Sequence, residues 1–257
     1  MVHPASNEVP AAGAMLYVHP FAEEMNKSRR MAAMQSRALA ASGWTVLQFD
    51  LLGCGDSEGD FGDATWSRWL EDTYACVEWL RAETGSMPAL WGLRAGALLA
   101  LHAMRALSPV PGLLLWQPVV SGKRYLQQFL RLGVAGQLGS ADGAARVGTQ
   151  QLRDLLGHGE SVEVGGYAMS PGLALGLEAS ELLPPPAPTR VAWLEVTSST
   201  TLELPAASSQ CVETWRAAGH HVDVGVIEGL PFWQTSEIAE CAALIQATLG
   251  AVEAWRS

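Results

Sequence analysis

MPALW (87–91), Gly92-Leu93-Arg94-Ala95-Gly96 and AGALLALHAMRAL (95–107) form one continuous stretch, and its reading decides the fold. The short apolar run before Gly92 has no polar alternation, which is how a strand buried on both faces reads. The alanine- and leucine-rich run after Arg94 has high helix propensity. Between them, two glycines stand four positions apart. A strand that turns sharply into a helix brings two backbones too close for side chains, and glycine at both positions removes the obstacle. Arg94 is then held at the tip of the turn, at the C-terminal edge of the sheet. A turn this sharp gives its central residue a positive φ, which is uncommon for anything but glycine.

Outward from this stretch, short apolar runs alternate with amphipathic ones. Strands are expected at 14–18, 44–50, 87–91, 112–118, 190–196 and 221–228. Helices are expected from Asn26, as N-cap, to a stop at Gly43, then over 64–83, 95–107, about 206–218 and about 234–255. The last of these carries Ile238, Cys241, Ala242, Ile245, Leu249 and Val252 on one face. This rhythm belongs to a parallel sheet with crossover helices, hence a single α/β domain over 1–257. The rhythm breaks over 121–188, which is Gly-rich, weakly periodic and closed by the PPPAP run; it reads as a cap insertion.

The chain is 49% apolar and 16% charged, as a well-buried globular protein is, and its net charge is −10. That balance excludes a basic footprint for nucleic acid or an anionic membrane. The first fifteen residues lack a basic start with an apolar core, and no apolar stretch is long enough to span a bilayer. The four cysteines are scattered, with neither CxxC nor metal-ligand spacing, so no metal and no cofactor are implied. A reduced, cytoplasmic protein is expected.

Two further motifs sit where strands end. Tyr17-Val18-His19-Pro20-Phe21 follows the first strand, and Asp50-Leu51-Leu52-Gly53-Cys54-Gly55-Asp56-Ser57 follows the next, as D-x-x-G-x-G-x-S. With the Gly92–Gly96 turn, they resemble the α/β-hydrolases. The resemblance covers most of the chain outside 121–188. It implies an α/β-hydrolase fold: a mostly parallel central sheet, helices on both faces and a cap insertion. Within that superfamily the chain is similar to the exosortase A system-associated hydrolase 2 subgroup, on HPFAEEMNKSRRM (19–31), WGLRAG (91–96) and LWQPVVSGKRYLQQFLR (115–131). That resemblance implies a cytoplasmic protein linked to bacterial exopolysaccharide production, with a possible protein partner in that pathway.

The resemblance also implies a nucleophile, an acid and a histidine in that chain order. Arg94 holds the serine position, and a permanently protonated guanidinium cannot attack a carbonyl. The acid belongs just after strand 190–196, in TSSTTLELP (197–205). There Glu195 falls too early and Glu203 too late. The histidine belongs after strand 221–228, where Gly229-Leu230-Pro231-Phe232-Trp233 has none and Trp233 is expected to fill its space. His220 and His221 precede that strand and belong at the opposite end of the sheet.

The candidate site is therefore built around Arg94. At a helix N-terminus a guanidinium suits a small anionic or acyl-type ligand, with Leu93, Ala95, Phe21, Glu23, Glu24, Asp50 and Ser121 as the other ligand-binding candidates. The competing reading is an internal ion pair with Asp50, Glu23 or Glu24. His19 is the candidate general base. Lys27, Arg29 and Arg30 at the same helix start oppose the dipole, which calls for an acidic partner. Ser121, with Lys123 or Arg124 near it, and Cys54 are the remaining nucleophile candidates. Three functions stay open: a ligand-binding or altered catalyst with an open polar pocket at Arg94, a non-catalytic scaffold with Arg94 salt-bridged and Phe232–Trp233 filling the space, or an active hydrolase that uses Ser121 or Cys54 as its nucleophile.

Overall fold

The structure is a computed structural model that describes residues 1–107, 109–137 and 148–255. Its elements in chain order are β1 (Val2–His3), β2 (Gly13–Val18), α1 (Glu23–Ala41), β3 (Trp44–Gln48), α2 (Trp66–Thr84), β4 (Ala89–Leu93) and α3 (Ala95–Met104). They continue with β5 (Gly112–Trp116), α4 (Gly122–Gln137), α5 (Thr149–Gly157), β6 (Val162–Val164), β7 (Tyr167–Met169) and α6 (Pro171–Glu178). The chain closes with β8 (Arg190–Thr197), α7 (Ala206–Ala217), β9 (His221–Glu228) and α8 (Ala242–Glu253). These elements form two compact units. One comprises Met1–Phe49, Thr73–Val120 and Leu182–Ser257; the other comprises Asp50–Asp72 and Ser121–Glu181.

The first unit holds a seven-stranded sheet in the order β1-β3-β2-β4-β5-β8-β9. Only β1 runs antiparallel; every other pairing is parallel. Parallel strands are buried on both faces, which explains why β4 and β5 are buried at every position. Met15, Tyr17, Trp91, Leu114, Trp116 and Leu194 point to one face and pack with Met31 and Leu39 of α1 and Leu244, Ile245 and Val252 of α8. Trp193, of opposite parity on β8, meets Trp215 of α7 on the other face, with ring centroids 5.5 Å apart. The helices thus cover both faces.

The second unit contains the Asp50–Ser57 loop, α4 to α6 and the β6–β7 hairpin. Much of the weakly periodic stretch is therefore regular structure. In α4, Tyr125, Leu126, Phe129 and Leu130 are buried at helical spacing. The second unit ends at Glu181, so 182–188 of the expected insertion belong to the first unit. Part of the expected insertion, 138–147, lies outside the described residues.

Two helix boundaries differ from expectation. α1 begins at Glu23, not after Asn26, because the backbone of Ala22 turns the chain with φ 47° and no side-chain cap is used. The last helix begins at Ala242, not near 234; Ile238 lies outside it and is 68% exposed. Gly43, with φ 92°, follows the end of α1 as expected. β1 adds a two-residue edge that is too short to leave a pattern in the sequence. No helix among the described residues is long and apolar enough to cross a membrane.

Candidate functional site

The turn from β4 to α3 is as tight as its glycines require. A Cβ on Gly92 would lie 2.5 Å from the Ala97 Cα, and one on Gly96 would lie 2.3 Å from the Val18 carbonyl oxygen. Arg94, between them, adopts φ 54° and ψ −122°. Backbone bonds over-determine this conformation. The Arg94 N–H donates to the Trp116 carbonyl (3.0 Å), and the Arg94 carbonyl accepts from Ala97 (3.1 Å) and Val119 (3.2 Å).

Among the described residues two other non-glycine residues share a positive φ, Ala22 at 47° and Gln117 at 43°. Ala22 follows β2 and Gln117 follows β5, so all three lie past the C-terminal ends of neighbouring strands. Each costs of order 1–3 kcal/mol, and such residues cluster at functional edges. Gln117 is held through its side chain: its Oε1 accepts from the Val196 N–H at 2.7 Å, and its Nε2 donates to the buried Glu195 at 3.4 Å. Trp193 Nε1 also donates to Glu195, at 2.8 Å. This polar trio, in which Trp193 and Glu195 are buried, was not read from the sequence. Its one signal is Trp193-x-Glu195, a spacing that puts both side chains on one face of a strand.

The Arg94 side chain is engaged. Its Nε donates to Glu24 Oε1 at 3.1 Å and lies 3.4 Å from Oε2, and both side chains are 17% exposed. The guanidinium carbon is 5.5 Å from the centroid of the Trp233 ring, within cation–π range. Trp233 and Phe232 are buried just after β9 and cross nearly at right angles. From Phe232 an aromatic column runs to Trp116 (6.0 Å), Trp91 (4.7 Å) and Tyr17 (4.3 Å). Glu24 is one of the carboxylates expected to compete for Arg94, and it is joined to it.

The other expected residues divide by position. Leu93 and Ala95 are buried in the turn, and Phe21 is buried between β2 and α1. His19 is buried too, and its Nδ1 lies 2.8 Å from the Pro20 carbonyl oxygen. A carbonyl can only accept, so Nδ1 carries the proton of that bond. Glu23, with its side chain 60% exposed, joins Lys27 at 3.8 Å and Asn26 at 3.4 Å along α1. Lys27 also donates to the Ser236 carbonyl, and the exposed Arg30 pairs with Glu240 at the surface.

Asp50 and Ser121 belong to the second unit. Asp50 accepts the Asp56 N–H at 3.0 Å, and Ser57 Oγ donates to the Leu51 and Cys54 carbonyls, so these motif residues close their own loop. Ser121 donates to Glu181 at 2.7 Å where those two segments bridge. Cys54 is buried in the same loop. After β8 the chain turns on Thr197 and Ser199, whose hydroxyls accept from the backbone N–H groups of Ser199 and Thr201. Among the described residues no group of His, Cys, Asp and Glu is arranged to hold a metal ion.

A parallel sheet in this order, helices on both faces and a glycine-framed turn at the C-terminal edge of β4 define the α/β-hydrolase fold. More particularly, the chain belongs to the serine aminopeptidase S33 family, whose model matches residues 10–167. The match takes in the Gly92–Gly96 turn and the Asp50–Ser57 loop and stops before β8 and β9. No match was found to any curated protein.

Solved structures agree on the fold. A thermostable carboxyl esterase from Bacillus coagulans superposes with TM-score 0.66 at 12% identity, covering 100% of this chain and 93% of its own. Est1E from Butyrivibrio proteoclasticus, with ferulic acid bound, gives 0.63 at 14%, covering 99% and 92%. A serine hydrolase without a lid from Xanthomonas campestris gives 0.57 at 19%, covering 99% and 88%.

Proposed function

We propose that this chain is a non-hydrolytic member of its family, with a degenerate triad, that uses the fold for recognition. The observation that carries the reading is the Arg94–Glu24 pair under Trp233. At the serine position is a cation that cannot act as a nucleophile, and its charge is already balanced by an internal carboxylate. An indole occupies the position after β9 where the family pattern calls for a histidine. The resemblance to the exosortase A system-associated subgroup supplies the context: a cytoplasmic scaffold or interaction protein for a component of exopolysaccharide production.

A second reading rests on a different observation, the retained backbone strain at Arg94. Strained non-glycine residues cluster at functional sites, which favours a small anionic or acyl-type ligand at Arg94, with His19 as the base.

The test is turnover and labelling on the full chain. Wild type and Arg94→Ala are incubated with short p-nitrophenyl esters, acyl thioesters, aminoacyl anilides and a fluorophosphonate probe. Neither is expected to cleave any substrate above buffer or to take up the probe. Cleavage by the wild type that disappears in Arg94→Ala would overturn the non-hydrolytic reading. A thermal shift on adding millimolar carboxylates or phosphates, absent in Arg94→Ala, selects the ligand reading over the scaffold.

A further inference from the structure

One buried polar side chain has no role in the features described so far. Gln35 lies mid-way along α1, and none of it is exposed. Neither its Oε1 nor its Nε2 has a hydrogen-bond partner among the described residues. Its neighbours on the helix stripe, Met31 and Ala32 before it and Leu39 after it, pack in the same core layer as Trp44, Trp91 and Trp255. Those three indoles present buried Nε1 donors that are likewise unpartnered among the described residues. Four residues of one layer, between α1, α8 and the sheet, thus carry unmatched polar atoms.

Most buried polar groups in native proteins are hydrogen-bonded, and an amide with both ends unmatched is strongly disfavoured in an apolar layer. The indoles have a partial way out. Trp255 crosses Trp44 at 81°, and Trp91 crosses Trp116 at 68°, so an N–H can face a neighbouring ring as a weak bond. The Gln35 carbonyl has no such option, because the ring faces are themselves negative. What Gln35 requires is an occupant that donates to Oε1 and accepts from Nε2 and from indole N–H groups. An apolar molecule does neither, and an anion only accepts. Water does both, and buried waters typically make about three such bonds.

We infer that the layer between α1 and the sheet contains a buried hydration site anchored on the Gln35 amide. The site belongs to the core and does not depend on whether the protein cleaves esters.

The decisive experiment is a high-resolution crystal structure of the full chain, with deuteron magnetic relaxation dispersion in solution. The expected result is at least one ordered, slowly exchanging water within hydrogen-bond distance of Gln35. The Gln35→Met variant is expected to lose that water from the dispersion signal and to melt several degrees lower. A dry layer in the wild type, with the amide re-paired to protein, overturns the inference, as does a Gln35→Met variant that melts higher. If that variant does not fold, the wild-type density and dispersion still decide.

Discussion

At Arg94 backbone and side chain pull stability in opposite directions. The positive φ is unfavourable, while the pair with Glu24 is favourable at 17% exposure on both sides. Arg94→Ala keeps the strain and leaves the carboxylate without its cation. Losing one partner of a buried pair costs about 3–5 kcal/mol, and partial exposure brings the expected loss to about 2 kcal/mol. Arg94→Gly loses the same pair but adopts positive φ freely, which recovers about 1 kcal/mol. Urea unfolding should therefore rank Arg94→Gly above Arg94→Ala, the reverse of the usual order in a helix. An Ala variant at least as stable as Gly would mean that the turn relaxes once the arginine is gone.

The β4–α3 element makes the complementary case about close approach. Gly96→Ala would drive a methyl group into the Val18 and His19 carbonyl oxygens, 2.3 Å and 2.5 Å away. Those atoms are backbone and cannot give, so the expected outcome is a loss of more than about 3 kcal/mol or failure to fold. Gly250, inside α8, is the contrast: a Cβ there meets nothing within 4 Å. Gly250→Ala should raise the unfolding free energy by about 0.5–1 kcal/mol through helix propensity, read in the same denaturant series. The same steric logic explains what was legible in the sequence. Gly92 and Gly96 are dictated by backbone distance, and the buried strands by apolar runs, so both could be read directly. The start of α1 could not, because Ala22 uses a strained backbone where a capping side chain is usual, and Asn26 supplied a misleading cap signal. Nor could the placing of Glu24 against Arg94, which depends on where α1 begins.

At the scale of the whole molecule, histidine burial sets a pH dependence. His220 is 6% exposed, and its Nδ1 accepts the Thr189 N–H at 3.2 Å, so the ring is held neutral. Burial pushes its pKa below the ordinary 6.5, and burial does the same to His3. Such a group binds fewer protons folded than unfolded. Its stabilisation is whole above about pH 6.5 and is lost as pH falls below that value towards the folded pKa. Thermal unfolding followed from about pH 7.5 to about pH 5.5 should show the wild type losing stability faster than His220→Gln, whose amide oxygen can still accept from Thr189. Parallel slopes would show that His220 does not titrate differently on unfolding. The comparison must be with the variant, because a chain of net charge −10 also loses self-repulsion as its carboxylates protonate.

The aromatic column beneath Arg94 has an optical consequence. Trp91 and Trp116, with centroids 4.7 Å apart, are close enough for their electronic transitions to mix, and the column reaches Trp233 at the guanidinium through Phe232. Fixed, closely spaced indoles give strong near-ultraviolet circular dichroism. Anything that moves Arg94 against Trp233 would therefore write itself into that spectrum, and the protein can report on its own elbow without a dye or a label.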